Sequence, residues 1–199
     1  YPEYIYERAL MYELQSRGLS CTQQDEYEII YKDHRVGRQR LDLFVVQEVV
    51  VENKVADELT KRHKAQCISC LKTVNNPVGL LLNFGSAEPN FHRLYFDFDK
   101  RPENVTHTHP EPDPDWLYPD LAYQILGALY EVHHVLGAGF VHRIYANACY
   151  QELKSRDIAA QPIKRMQVAY KDIVVGDIGF GHLLAEGKVM VFPVAIRDV

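Results

Sequence analysis

The chain has 199 residues, 47% hydrophobic and 25% charged, with a net charge of −5. This is the balance of a globular protein long enough for one medium domain or two small ones, and the acidic sum excludes a general electrostatic pull toward nucleic acid. No apolar run approaches the roughly 18 residues that cross a bilayer, and no signal peptide is visible, although a start at Tyr1 leaves an upstream signal open. The four cysteines (Cys21, Cys67, Cys70, Cys149) make no disulfide framework, so a reducing cytoplasm is the expected setting.

Pro2 suits the first turn of a helix running to about Arg17, with Gly18 as its stop. Ile5, Ala9 and Tyr12 lie beside Tyr6, Leu10 and Leu14, which predicts a wide apolar face. EYEIIYK (26–32) predicts a strand, 33–34 a turn, and 36–46 with 48–54 the two strands of a hairpin. LTKRHKAQCISCLKTV (59–74) predicts a helix that turns Cys67, Cys70, Leu71 and Val74 to one face. Without a second CxxC, that cysteine pair reads as packing, not as a zinc or redox site. Residues 78–83 predict a buried strand and 91–98 an edge strand. The order α-β-β-β-α-β-β implies an α/β fold with a mixed sheet flanked by helices. Lys32, Arg35, Arg38 and Arg40 form one local basic patch and KRHK at 61–64 another.

Residues 98–120 are rich in proline and acids and lack periodicity, as a linker does; His107 and His109 in it are expected to be solvated. The linker separates two similar segments. The helix at the start aligns with FVHRIYANACYQELKSRDI from Phe140, and IIYKDHRVG (29–37) aligns with VAYKDIVVG (168–176) at the same offset. LDLFVVQEVVVENKVA (41–56) then aligns with HLLAEGKVMVFPVA (182–195) once one insertion is allowed. A constant offset over several blocks indicates a tandem duplication. The second copy opens with an apolar helix, LAYQILGALYEVHHVLGAG, whose counterpart would precede Tyr1. The first copy continues past its hairpin through a helix and strand for which the second has no room, so a fragment trimmed at both ends is expected. His133 and His134, in that apolar helix, are read as interfacial or packing residues.

The chemistry concentrates in LDLFVVQEVVVENK (41–54), where Asp42, Glu52 and Lys54 interrupt two apolar strands. Buried charges are costly unless paired, hydrated or bound to a metal. A turn centred on Gln47 sets Asp42 across from Glu52, their Cβ atoms about 5 Å apart on one face. Alternation brings Lys54 to the same face. Two carboxylates this close raise each other's pKa unless a cation lies between them, and a hard divalent ion, Mg²⁺ or Mn²⁺, suits oxygen ligands. Lys54 would be placed to orient or deprotonate a water at that ion. A salt-bridged strand pair is the competing reading. Glu3 on the preceding helix and Gln66 on the following one add polar groups at element ends, as a site needs.

With these residues the layout resembles the PD-(D/E)xK nuclease superfamily. PEYIYERALMYELQSRGL, YKDHRVGRQRLDLFVV, VVVENKVADELTKRHKAQ and VGLLLNFG resemble in particular its GxxExxY proteins; the naming glycine would precede Tyr1, and Leu41 replaces the proline of the PD dipeptide. The resemblance implies a restriction-endonuclease-like α-β-β-β-α-β core, tandemly duplicated and truncated at both ends. Residues 1–97 would form a domain with an intact site, and 121–199 a degenerate second copy. It further implies Glu3, Asp42, Glu52 and the Asn53 carbonyl as metal ligands, Glu52, Lys54 and Gln66 as catalytic residues, and Mg²⁺ or Mn²⁺ as cofactor. The implied reaction is hydrolysis of nucleic acid, DNA before RNA, with no membrane partner; pairing of the two copies is left open. In the second copy His142, His182, Phe192 and Val194 replace Glu3, Asp42, Glu52 and Lys54, which predicts a pseudo-enzyme. A non-catalytic binding or interaction module on the same fold is the main alternative, and a thiol or histidine metal-storage protein a remote one.

Overall fold

The computed structural model describes residues 1–99 and 111–195; the middle of the linker, with His107 and His109, lies outside them. Helix α1 (Glu3–Ser16) begins after Pro2, whose φ of −62° and ψ of 154° make it the flanking residue and not part of the first turn. It ends where Gly18 takes φ +79°, a conformation that a Cβ would penalise, and the Leu19 N–H bonds back to the Leu14 carbonyl at 3.0 Å. Only part of the expected apolar face is used. Leu10, Met11 and Leu14 pack on Leu43, Val45 and Val51 of the sheet, whereas Ile5, Ala9 and Tyr12 are exposed.

The main sheet contains β1 (Cys21–Gln23), β4 (Leu43–Val45), β5 (Val49–Lys54), β6 (Val78–Asn83) and β7 (Asn90–Tyr95), in the order β1-β4-β5-β6-β7. β5 runs antiparallel to β4 and parallel to β6. A parallel neighbour requires a crossover, which α2 (Lys61–Thr73) supplies. The helix starts after Thr60, whose hydroxyl accepts the His63 N–H while the His63 ring accepts the Thr60 N–H, both at 3.3 Å. Ile68, Cys70 and Leu71 of α2 pack on Leu41 and Val50.

The strand expected over 36–46 is broken. β2 (Glu26–Tyr31) and β3 (His34–Arg40) form a separate two-stranded ribbon, and the chain bends at Leu41–Asp42 before β4. The backbone bonds explain the break. Leu41 donates to the Asp25 carbonyl and Gln24 to the Asp42 carbonyl, both at 3.0 Å, and Gln24 takes φ 58°. Both chains thus turn together as the ribbon leaves the sheet.

The ribbon packs on the second copy. Ile29, Tyr31 and Val36 share one buried cluster with Ile125, Ala128, Val132 and Leu136 of α3 (Pro119–Leu136) and Ile144 and Ala148 of α4 (His142–Ser155). Within this contact the Tyr31 hydroxyl and the Lys32 ammonium each donate to Glu152 Oε2 at 2.7 Å, and Arg156 Nε donates to Oε1 at 2.9 Å. Burial would raise the Glu152 pKa, but these three donors outweigh it and the carboxyl lies below its ordinary value. Lys32 also reaches Glu131 at 3.2 Å, and Asn147 donates to the Val36 carbonyl at 2.7 Å. Arg35 and Arg38 pair with Glu28 and Glu26 along the ribbon. The first basic patch therefore does not present four free cations to nucleic acid.

The second copy repeats the first in detail. Its sheet, in the order β10-β9-β8, contains β8 (Ala160–Tyr170), β9 (Ile173–Ala185) and β10 (Val189–Val191). Both ribbons carry a register shift at the same place, between Ile29 and Ile30 and between Val168 and Ala169. Both turns use a left-handed lysine, Lys32 at 50° and Lys171 at 53°. The pairs Leu43–Val51, Phe44–Val50 and Val45–Val49 recur as Leu183–Val191, Leu184–Met190 and Ala185–Val189.

Gly37 measures how closely the ribbon meets α4: a Cβ there would lie 2.1 Å from the Ile144 Cδ1 atom, whereas at Gly176 it would meet nothing within 4 Å. Gly37→Val should destabilise the chain by about 1–3 kcal/mol through overpacking, less in an Ile144→Val background that lacks Cδ1, and Gly176→Val should leave the monomer unchanged. Urea denaturation of these variants would check it.

Candidate active site

β5 is buried along nearly its whole length, and its three polar residues are buried with it: Glu52 and Asn53 are 0% exposed and Lys54 8%. The register of β4 with β5 is that of a turn centred on Gln47, where Val46 and Gln47 take φ of 45° and 56° in the sense that matches hairpin twist. Asp42 sits just beyond the last pair, on the bend. Its Oδ2 accepts the Asn53 N–H at 2.8 Å, which fastens it beside Glu52.

Glu52 is held on the α2 side of the sheet. Gln66 Nε2 donates to its Oε2 at 3.3 Å, the Cys70 thiol donates to its Oε1 at 3.0 Å, and Lys54 Nζ stands 3.6 Å from Oε2. These contacts do not compensate for dehydration. Burial first, then the Asp42 charge, raises the Glu52 pKa to about 7, against the pull of Cys70 and Lys54. Asp42 is raised as well, by burial and by the charges of Glu7 and Glu3, while the Asn53 N–H and Lys54 act against it. Lys54 donates to the Asn53 carbonyl at 2.8 Å and lies 4.0 Å from Glu3 Oε2.

The end of β5 is fixed by Asn83 of β6, whose side chain exchanges hydrogen bonds with the Ala56 N–H and carbonyl at 3.0 and 2.8 Å. Phe84 stacks on Tyr6 of α1 at 4.8 Å with the rings 10° apart, one helical turn from Glu3. Gly85 is obligatory there, since a Cβ would stand 2.4 Å from the Ala56 carbonyl oxygen.

The structure thus brings Asp42, Glu52, Lys54 and Gln66 together. Glu3 faces Lys54 and makes no hydrogen bond to the two acids, although its charge reaches Asp42; it is 49% exposed and accepts the Val55 N–H at 3.3 Å. Among the described residues no three His, Cys, Asp or Glu side chains gather closely enough to hold an ion. Two residues were not singled out by sequence reasoning. Glu7 is buried and accepts from Gln23 and Gln24 at 2.7 and 2.8 Å, and Gln24 touches Asp42 Oδ1 at 3.4 Å. Its position one turn after Glu3 was the available signal. Cys70 packs as expected but also contacts Glu52, at the end of a chain in which Ser69 donates to Gln39 and Gln39 to the Cys70 sulfur, both at 3.2 Å. Burial, and then Glu52, hold its thiol far above the ordinary range, so it remains a donor.

At the corresponding place in the second copy, the His182 and Phe192 rings meet edge-on with centroids 3.8 Å apart. An aromatic contact replaces the paired acids.

A mixed sheet flanked by helices, with an acid at a bend and an E-x-K on the adjoining strand, defines a restriction-endonuclease-like fold. The chain belongs to the PD-(D/E)XK nuclease superfamily, whose family model matches residues 1–94 and again 119–198. The two matched segments agree with a duplication. No curated protein matches the chain. The crystal structure of SSO0001 is similar over 47% of this chain and 51% of its own, at 18% identity and a TM-score of 0.40. The chain therefore spans about half the length of that protein, and so loose a likeness carries no argument.

The raised Glu52 pKa has a thermodynamic consequence. A carboxyl whose folded pKa exceeds its unfolded value of 4.5 favours the folded state below pH 4.5, and that contribution is lost as pH rises toward 7. Metal-free protein should lose on the order of 3 kcal/mol between pH 4.5 and 7 from this group. Glu52→Gln should flatten the slope, as should Mn²⁺ if the acids bind it. Chemical denaturation at several pH values would read both.

Proposed function

We propose that the first copy hydrolyses phosphodiester bonds of nucleic acid, DNA before RNA, using a divalent cation, and that the second copy has no chemistry of its own. The observation that carries this reading is the burial of Glu52 beside Asp42 with too few partners to offset its dehydration. A protein gains nothing in stability by keeping two such acids together, and strongly perturbed carboxyls beside a lysine are what an active site requires. The affinity to the GxxExxY proteins belongs to the same proposal.

The donor set fits Mg²⁺ or Mn²⁺. Asp42 and Glu52 offer hard carboxylate oxygens, and the Asn53 carbonyl, next after Glu52 on β5, can add a third oxygen. When bound, the ion would supply positive charge to the phosphate and acidify the attacking water. The rest falls to the chain's own residues. Lys54, freed from the Asn53 carbonyl, can turn its ammonium to a phosphate oxygen, where charge builds in the transition state. Gln66 and Cys70 orient Glu52, and Gln24 with the Asn53 N–H orients Asp42. Glu3, facing Lys54, is placed to steady the ammonium and is a ligand only after a side-chain movement. Lys61 and Arg62, exposed in the first turn of α2 one turn before Gln66, offer phosphate contacts beside the site.

Lys54→Ala should abolish nicking of plasmid DNA in Mn²⁺ while keeping most of the metal affinity, because the lysine acts on the phosphate. Asp42→Ala should lose both and should raise thermal stability in metal-free buffer by relieving repulsion on Glu52. His182→Ala should leave cleavage unchanged. Nicking assays, isothermal metal titration and thermal melts on these variants test the reading; unchanged Mn²⁺ affinity in Asp42→Ala, or DNA binding without nicking in the parent chain, would overturn it.

A further inference from the structure

The β2–β3 ribbon has a partner and its repeat does not. Ile29, Tyr31 and Val36 are 4%, 1% and 2% exposed, and all three are covered by α3 and α4. In the β8–β9 ribbon Tyr170 and Val175, the counterparts of Tyr31 and Val36, are 61% and 55% exposed. Ile173, Val174 and Ile178 beside them are 63%, 59% and 49% exposed, so this ribbon presents a contiguous apolar tip. The tip nevertheless keeps the docking conformation. The register shift and the left-handed lysine are the same, and Lys171 Nζ sits 5.4 Å from the Tyr170 ring centre as Lys32 Nζ does from Tyr31. Gly176 keeps open the space that Gly37 uses against Ile144.

The matching receptor is also present and uncovered. At the duplication offset, α1 is the counterpart of α4, and Ile5, Ala9, Glu13 and Arg17 correspond to Ile144, Ala148, Glu152 and Arg156. The α4 residues Ile144, Ala148 and Glu152 are buried under the first ribbon, whereas Ile5, Ala9 and Glu13 are exposed. Glu13 already holds its arginine as Glu152 does: Arg17 donates to its Oε1 from Nε at 2.8 Å and from a terminal nitrogen at 2.6 Å. The positions that Tyr31 and Lys32 fill on Glu152 are open on Glu13. Arg8 stands where Asn147 donates to the Val36 carbonyl, and a guanidinium can make the same bond.

We propose that the β8–β9 ribbon docks on α1 of a second copy of this chain, Tyr170 and Lys171 on Glu13 and Val175–Gly176 against Ile5 and Ala9, reproducing between chains the contact that joins the two copies within one. The partner is another copy because its α1 carries the apolar stripe, the carboxylate and the arginine in the required order. Nothing within the chain reproduces the α3 side of the first contact, so the association is weaker than the internal one. It brings the second chain's ribbon to the helix that holds Glu3 and Glu7. The proposal is independent of the nuclease reading.

Sedimentation velocity over a range of concentrations tests it on the 199-residue chain. Self-association is expected by about 100 μM, a range suited to a small interface. Val175→Asp on the ribbon and Ile5→Asp on α1 should each weaken it by about tenfold or more. Both residues are exposed in the monomer, so melting should be unchanged. An equimolar mixture of the two variants should associate where neither does alone, because the ribbon of one and the α1 of the other remain intact. Lys171→Glu and Glu13→Lys should each weaken association, and the double variant should recover it. A chain that stays monomeric, or that associates equally well with Val175→Asp, would overturn the proposal.

Discussion

A carboxylate in the middle of a buried strand is the constraint around which the first copy is organised. Glu52 cannot be moved toward solvent, because β5 has β4 on one side, β6 on the other and α2 across its face. Its surroundings must therefore come to it. Gln66 and Cys70 arrive on successive turns of α2, Lys54 from two residues along the strand, and Asp42 from the bend that ends the ribbon. None of these satisfies the charge fully, and the pKa of about 7 measures the deficit. A cation placed between the two acids would remove that deficit, which is why the proposed metal binding and the cost of folding without metal are linked.

The chain contains a second buried carboxylate, and the contrast separates structure from chemistry. Glu152 is nearly as inaccessible to solvent as Glu52, though less deeply enclosed, and its pKa is lowered because a phenol, an ammonium and a guanidinium all donate to it. That acid is fully compensated and acts as a clamp between the copies. Glu52 has only an amide, a thiol and a lysine shared with a carbonyl. Solvent exposure alone does not tell the two apart; the sign of the imbalance does.

Much of the candidate site's arrangement was legible in the sequence. The pairing of β4 with β5 followed from a turn at Gln47 between two apolar runs, and alternation then put Glu52 and Lys54 on one face. The departure of the β2–β3 ribbon from the sheet was not legible, since period-two alternation identifies a strand without naming its neighbour. Asp42 consequently reaches Glu52 from a bend and through the Asn53 N–H, not as a cross-strand pair. The apolar face of α1 was overread for a related reason: Ile5, Ala9 and Tyr12 have the spacing of core residues, but spacing does not say how much of a helix face its neighbours cover, and the sheet takes only Leu10, Met11 and Leu14. Glu7 escaped notice because a carboxylate among tyrosines and leucines reads as solvent-facing until Gln23 and Gln24 are seen to cover it.

The docking of the β2–β3 ribbon on α3 and α4 makes the second copy a structural support of the first. Without α3 and α4, Ile29, Tyr31 and Val36 would face water, and Lys32 would lose both Glu131 and Glu152. The Gln24–Asp42 and Leu41–Asp25 bonds tie the base of the ribbon to the bend that carries Asp42, so its anchorage on α4 bears on where Asp42 stands. A change at the second copy's vacated pocket, where His182 meets Phe192, touches neither link. A change at Ile144 or Glu152 loosens the anchorage directly. The second copy also reaches α2, the helix that brings Gln66 and Cys70 to Glu52: Lys72 donates to the Leu136 and Ala138 carbonyls, and residues 192–195 line a cavity together with Ala65 and Ile68. The helices that cover the ribbon and the segment after β10 thus both bear on the elements that hold the two acids.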